Sequence, residues 1–283
     1  MQLLSASIPR SGQVLPRLGL GTYRSFDQDP SRLAQTELPQ VLQAFYDAGG
    51  RLLDSSPMYG QAEAVSGRLS QELGLNEGLF MATKVWTQGA AQGREQMEES
   101  LQKLGRSKLE LMQVHNLTDW EAHWPLLEDW KEAGRFRYIG ITHYSTQAFE
   151  RLAQVIRSRT VDFLQIPYSM AETAAEQSLL PLAADKGVAV IANEPFDQGG
   201  LFAAAQGRPV PAWVAELGIY TWAQYFLKFI LADPRVQFVI PATSKLAHLE
   251  DLLPGGAGPL PNAEQRQRMR AEFQGGLRRQ AHS

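Results

Sequence analysis

Short β-rich runs alternate with longer amphipathic stretches eight times in strict order along this chain, and no other feature constrains its fold as much. The strand-like runs are Leu18 to Leu20, Arg51 to Asp54, Leu79 to Lys84, Leu109 to His115, Phe136 to Ile141, Val161 to Ile166, Val188 to Ala192 and Val236 to Ile240. Apolar residues at helical spacing predict helices over Glu37 to Ala48, Ala62 to Leu73, Glu95 to Leu104, Pro125 to Ala133, Gln147 to Arg157, Ala174 to Lys186, Tyr220 to Leu231 and His248 to Leu253. Gly49-Gly50, Gly134 and Gly187 stand where three of those helices should stop. Apolar strands each followed by a covering helix build a parallel sheet. Eight units point to closure as an α/β (β/α)8 barrel, the TIM-barrel architecture, rather than an open doubly wound sheet. A Rossmann fingerprint is missing, because after Gly19 and Gly21 its third glycine would fall on Arg24.

Residues 1–283 read as one barrel domain with no dividing linker. An N-terminal β-hairpin is expected around Ser7 to Leu15, and a terminal helix (Ala263 to Phe273) with a short basic tail follows the loop Pro254 to Pro261. A barrel of this kind occupies roughly 250 residues as a single domain, and 44% hydrophobic residues supply a sizeable core. A net charge of -3 leaves no electrostatic footprint for nucleic acid or an anionic membrane. The absence of cysteine excludes disulfides, thiolate metal sites and cysteine nucleophiles. Met1 to Arg10 lacks the apolar core of a secretory signal, and no apolar run is long enough to span a bilayer. The expected location is therefore cytoplasmic and the expected state a monomer or weak dimer.

In such barrels the chemistry gathers where strands end at the C-terminal face. Here nearly every strand closes on polar residues: Asp54, Lys84, His115, Thr142-His143, Gln165, Asn193-Glu194 and Thr243-Ser244. Singly, each has an ordinary structural role available: Asp54 capping a loop, Lys84 snorkelling from a strand, His115 satisfied in a core. As a ring around one mouth they suit carbonyl reduction by hydride transfer, which creates an alkoxide that needs a proton donor. Tyr59 carries such a proton, although an ordinary phenol pKa of about 10 makes it a poor acid. An ammonium about 4 Å away, at an effective dielectric of about 20, favours the phenolate by about 4 kcal/mol, so Lys84 is expected to lower the Tyr59 pKa. Asp54 would keep Lys84 charged, and His115 would hydrogen-bond the substrate oxygen and align the carbonyl. No metal is required.

At these residues the sequence resembles the aldo-keto reductase family, along nearly the whole chain. The resemblance lies in Leu18-Gly-Leu-Gly-Thr-Tyr23, Leu53-Asp-Ser-Ser-Pro-Met-Tyr-Gly60, Ala82-Thr-Lys84 and Leu111-Met-Gln-Val-His-Asn116. It implies an NADP(H)-dependent oxidoreductase, with NADPH as cofactor and NADH as the alternative, acting on a small-molecule carbonyl. It further implies the family's catalytic roles for Asp54, Tyr59, Lys84 and His115. Cofactor contacts carry over to Thr22, to Thr142 and His143, to Gln165 at the nicotinamide carboxamide, and to Thr243, Ser244 and Lys245 near the adenosine phosphate. Three positions depart from the family's pattern. Thr142-His143 replaces the common Ser-Asn pair but keeps hydrogen-bonding groups for a carboxamide. Asn193 stands where an aromatic commonly stacks on the nicotinamide. His248 stands where an arginine often holds phosphate, which leaves Lys245 as the compensating cation.

Tyr23 and Trp86 read as aromatic walls of the substrate pocket, with Phe26 beside Tyr23 at the mouth; Trp120 is either a third wall or a loop anchor. Trp124 and Trp130 read as packing, and His123 as solvated surface. The tail from Gly275 to Ser283, with Arg278 and Arg279, is too short for a lid, so an open pocket with broad carbonyl tolerance is expected. Among competing enzymes, a Schiff-base aldolase needs a neutral lysine, which Asp54 opposes. A metal-dependent hydrolase needs clustered ligands, and the five histidines include no His-x-His pair. The reading from another class is a cofactor-binding regulatory or redox-sensing barrel with little turnover.

Overall fold

The computed structural model describes residues 1–280. It opens with strands β1 (Ser5–Ser7) and β2 (Val14–Pro16), which pair antiparallel. The alternation then yields parallel strands β3 (Leu20–Gly21), β4 (Leu52–Asp54), β5 (Phe80–Val85), β6 (Leu109–His115), β7 (Phe136–Thr142), β8 (Phe163–Pro167), β9 (Ala189–Asn193) and β10 (Phe238–Val239). Each pairs with the next in chain order. Parallel bridges Leu18 to Val239 and Gly21 to Ala242 bring the first strand against the last, so the sheet closes into the (β/α)8 barrel.

The helices are α1 (Leu38–Asp47), α2 (Ala62–Glu72), α3 (Ala90–Lys103), α4 (Trp120–Glu132), α5 (Phe149–Ser158), α6 (Leu179–Lys186), α7 (Gly200–Ala205), α8 (Trp222–Leu231), α9 (Leu246–Leu252) and α10 (Ala263–Gln280). Helix α5 shows why such segments cover the sheet. Its Phe149, Leu152, Val155 and Ile156 recur at helical spacing and are buried, while Glu150, Gln154 and Arg157 face out. Helix α6 stops at Gly187, whose φ of 64° is the left-handed conformation that glycine adopts without strain. Helix α4 begins at Trp120, ahead of the expected Pro125, because Asp119 and Trp120 turn the chain directly out of the loop after β6. No helix among the described residues is long and apolar enough to cross a membrane.

Side chains alternate across each strand. The outward set, including Met81, Val85, Ile139, Ile141, Leu164 and Val190, packs under the helices. The inward set at the N-terminal end, including Leu52, Phe80, Leu111, Phe163 and Phe238, fills the barrel. Ile8 and Leu15 of the β1–β2 hairpin join that inner cluster and close its bottom, and the Tyr138 hydroxyl hydrogen-bonds with the Ser11 hydroxyl and the Gln13 amide oxygen across the seam. The barrel floor is thus a packed core, and open space is left to the opposite end.

Two sequence expectations change here. His123 is fully buried rather than solvated: its Nε2 lies 2.8 Å from the Thr87 carbonyl, and it packs on Gly93, where a Cβ would come within 2.4 Å of the ring. Phe26 lies in the core rather than at the mouth. The terminal helix also runs on to Gln280, through Gly275 and Gly276, held by the Tyr225 hydroxyl on the Met269 carbonyl and by Trp213 on Glu272. The side chains of Arg278 and Arg279, and residues 281–283, lie outside the described residues.

Glu63 of α2 is buried, with one oxygen accepting from Thr83 at 2.5 Å. Burial pushes its pKa up, against hydrogen bonds that pull it down. A carboxyl whose folded pKa exceeds its unfolded value contributes stability at low pH and loses it as pH rises through the folded pKa. Glu63→Gln keeps the shape and the acceptor, so it should raise Tm over the native protein at pH 8 and lose that advantage at pH 4. Thermal melts at both values check this; equal Tm differences at the two pH values contradict it.

Candidate active site

At the C-terminal end of the strands the inward positions turn polar. Along β5 they run Phe80, Ala82, Lys84; along β6, Leu111, Gln113, His115; along β8, Phe163, Gln165. The register sets Lys84 beside Gln113, His115 beside Thr142, and Thr142 beside Gln165. The same period of two that fills the floor with apolar groups therefore delivers a polar ring to the mouth.

Asp54 is the hub of that ring. One carboxylate oxygen accepts from Lys84 Nζ at 2.7 Å; the other accepts from Gln165 Nε2 at 2.9 Å and Gln113 Nε2 at 3.3 Å. Lys84 also donates to the Ser55 carbonyl at 2.6 Å, and both partners of the ion pair are buried. Burial works against the Lys84 charge, but Asp54 and Tyr59 outweigh it and the ammonium pKa lies above its ordinary value. Gln165 Oε1 in turn accepts from Thr142 at 3.3 Å. Thr22 donates both its amide and its hydroxyl to the Asp54 carbonyl at 3.0 Å, fixing the end of β3 to β4.

Tyr59 lies on the turn after β4, with Lys84 Nζ 5.1 Å from its ring centroid. Its ring meets Tyr23 at 5.0 Å and the His115 ring edge-on at 5.7 Å. The expected lowering of its pKa does not hold as a net effect. Burial raises it above the ordinary phenol value, with Lys84 pulling the other way, so Tyr59 is a fully protonated phenol at neutral pH. His115 is buried, and burial together with Lys84 and His143 pushes its pKa down to about 2. Its Nδ1 lies 2.9 Å from the Ser56 hydroxyl.

These residues open on a cavity of about 570 Å³, a size that suits a small-molecule site. Thr22, Tyr23, Asp54, Tyr59, His115, Thr142, Gln165 and Asn193 all line it. Trp86 stands exposed beside it, 6.5 Å from the His115 ring. Trp120 packs against the core at the start of α4, outside the lining of this cavity. His143 turns aside, its Nδ1 accepting from the Ser145 amide at 2.9 Å and its ring stacked on Tyr144, so Tyr144 faces the cavity in its place. Thr243, Ser244, Lys245 and His248 lie off the cavity, on the loop into α9 and on that helix. There Lys245 pairs with Glu37 at 2.9 Å, and the second Glu37 oxygen accepts from the Leu246 amide at 2.9 Å.

The non-glycine residues with positive φ among the described residues, Arg24, Asn116, Leu117, Asp119, Glu194, Asp197 and Gln198, fall on the loops after β3, β6 and β9. Strained backbone gathers on the loops at the mouth. Several participants escaped the sequence reading. Gln113 shares strand parity with Leu111 and His115, a signal that would have found it. Asn116, whose buried Oδ1 has no partner among the described residues, directly follows His115. Phe196 and Phe202 supply aromatic cavity wall from the loop after β9 and from α7. Glu37 had no local signal, being 208 positions from its partner.

The model of the aldo/keto reductase family matches residues 17–269. Aldo-keto reductase YhdN of Bacillus subtilis is 28% identical over 200 residues, covering 65% of this chain and 60% of that relative. The NADH-specific methylglyoxal reductase of Escherichia coli is 25% identical over 253 residues, covering 76% of this chain and 74% of its own. In fold, the aldo/keto reductase from Klebsiella pneumoniae in complex with NADP and acetate superposes with a TM-score of 0.77 at 23% identity, over 94% of each chain.

Proposed function

The chain belongs to the aldo/keto reductase family, and from that premise we propose that it reduces aldehyde or ketone carbonyls to alcohols, with a reduced nicotinamide dinucleotide bound at the barrel mouth. The observation that carries this reading is the buried Asp54–Lys84 pair, with Asp54, Tyr59 and His115 lining one cavity and Lys84 packed behind them. The groups present fit the nicotinamide end. Gln165 is already engaged by Asp54 and Thr142, but the Oδ1 of Asn193, another residue lining the cavity, is buried with no partner among the described residues, an acceptor for a carboxamide N–H. Phe196 and Phe202, with ring centroids 4.8 Å apart, provide aromatic surface from the loop and helix that follow Asn193.

When bound, the reduced dinucleotide supplies the hydride. Tyr59 gives its phenolic proton to the developing alkoxide, and the Lys84 ammonium stabilises the phenolate left behind. Asp54, held by three donors, keeps Lys84 charged and in place. His115, neutral in this setting, hydrogen-bonds the carbonyl oxygen and orients it. Tyr23, Met58 and Trp86 give the substrate side apolar, exposed walls. Because a methylglyoxal reductase stands among the relatives, small 2-oxoaldehydes are the first substrates to try.

The test is product analysis by proton NMR after mixing the protein, the reduced dinucleotide and methylglyoxal. One alcohol should form for each dinucleotide oxidised. Tight dinucleotide binding with no alcohol formed would overturn the reading in favour of a redox-sensing barrel.

NADPH is the dinucleotide this reading favours, and residues at the adenosine end set how strongly it is preferred. Lys245, the cation assigned to its 2′-phosphate, is neutralised by Glu37, whose carboxylate is held below its ordinary pKa by the Leu246 amide and Lys245. Glu37→Gln should therefore tighten NADPH binding by roughly fivefold, the scale of an exposed ion pair, and leave NADH binding unchanged. Calorimetric titration of both dinucleotides checks this; equal gains for the two would contradict it.

A further inference from the structure

Ser56 is fully buried, and its hydroxyl sits between two nitrogens. The Met58 amide donates to Oγ at 3.2 Å, and His115 Nδ1 lies 2.9 Å away. Among the described residues that hydroxyl has no other partner. A hydroxyl offers one donor and two acceptor positions. If Nδ1 carried the imidazole proton, Oγ would accept twice, and its own hydrogen would be buried without an acceptor. Such an orphaned group costs more than an ordinary hydrogen bond gains. If Nδ1 is bare, Oγ accepts from Met58 and donates to His115, and every group on Ser56 is satisfied.

We propose that Ser56 is a positioning residue that locks His115 in the tautomer protonated on Nε2, so that the ring presents a standing N–H donor to a carbonyl oxygen in the cavity. The role rests on the carbonyl-reductase reading, but the lock itself does not. His115 Nε2 has no protein partner among the described residues, and the ring lines the cavity, so this nitrogen is the one that meets a bound molecule. With a neutral ring, the donor exists only if the proton sits there. A serine in this place therefore does for His115 what a carboxylate or backbone carbonyl does for many catalytic histidines, with opposite polarity: it donates to the inner nitrogen instead of accepting from it.

Long-range nitrogen–proton NMR of the native protein tests the lock without any turnover, the His115 signals being assigned by their loss in His115→Gln. The Nε2–H pattern is expected at neutral pH, and a native ring protonated on Nδ1 would overturn the proposal outright. In Ser56→Ala the pattern should shift toward a mixture of tautomers, and kcat should fall roughly fivefold to tenfold, the weight of one neutral hydrogen bond. KM for the dinucleotide should not change, and Ser56→Thr, which keeps the hydroxyl, should restore both signals. A pure Nε2–H ring in folded Ser56→Ala would also overturn it. If the native protein shows the lock but reduces no carbonyl, the functional reading fails and the lock stands.

Discussion

Tyr59→Phe should lower kcat for aldehyde reduction by about a hundredfold to ten-thousandfold, the range over which a positioned general acid contributes. The substitution removes one oxygen and leaves the ring contacts to Tyr23 and His115 intact. Lys84 loses its contact with the Tyr59 hydroxyl but keeps its bonds to Asp54 and to the Ser55 carbonyl, which hold the pair in place. Dinucleotide affinity and Tm should accordingly stay at native values while the chemical step slows. Steady-state kinetics with a small aldehyde, alongside a dinucleotide titration, separate these effects. A variant as fast as the native protein would place the acid elsewhere.

Lys84→Met should be costly in a different way. It leaves the Asp54 carboxylate buried with only the amides of Gln113 and Gln165 as donors. Breaking a buried ion pair from one side destabilises by about 3–5 kcal/mol, because the remaining charge is uncompensated. For a chain of this size that corresponds to a Tm lower by roughly 10 °C. Turnover should be lost as well, since nothing then stabilises a Tyr59 phenolate. Adding Asp54→Asn should return much of the stability without returning activity. Thermal melts of the single and double variants are the measurement, and a Lys84→Met protein that melts with the native one would show that the pair is not coupled as described.

The barrel was legible because each strand–helix unit announces itself locally, and eight in a row leave few topologies. Boundaries were less so. The loop after β6 delivers Trp120 straight into α4, whereas Pro125 suggested a later start. At the site, the strand-end polar residues were readable from their place at the ends of the apolar runs, and the structure gathers Asp54, Tyr59 and His115 on one cavity with Lys84 buried against Asp54. What that place cannot show is which partner each side chain takes. Gln165 turns to Asp54, His143 turns away to its own loop, and Lys245 pairs with Glu37 across the fold. The sign of the Tyr59 shift was missed for a related reason: the sequence names a cation nearby, while the depth of burial that outweighs it emerges only from the packed structure.

The central claim is that Tyr59 is the acid and His115 a neutral donor, and the pH dependence of kcat for carbonyl reduction tests it most directly. An acid works while protonated, so the rate should fall only as pH rises through the Tyr59 pKa, which lies above the ordinary 10.0. His115, with a pKa of about 2, should contribute no inflection near neutrality. The expected result is a flat rate from about pH 6 to beyond about pH 10. A rate that falls away near the ordinary histidine value of 6.5 would make a histidine the acid and contradict it.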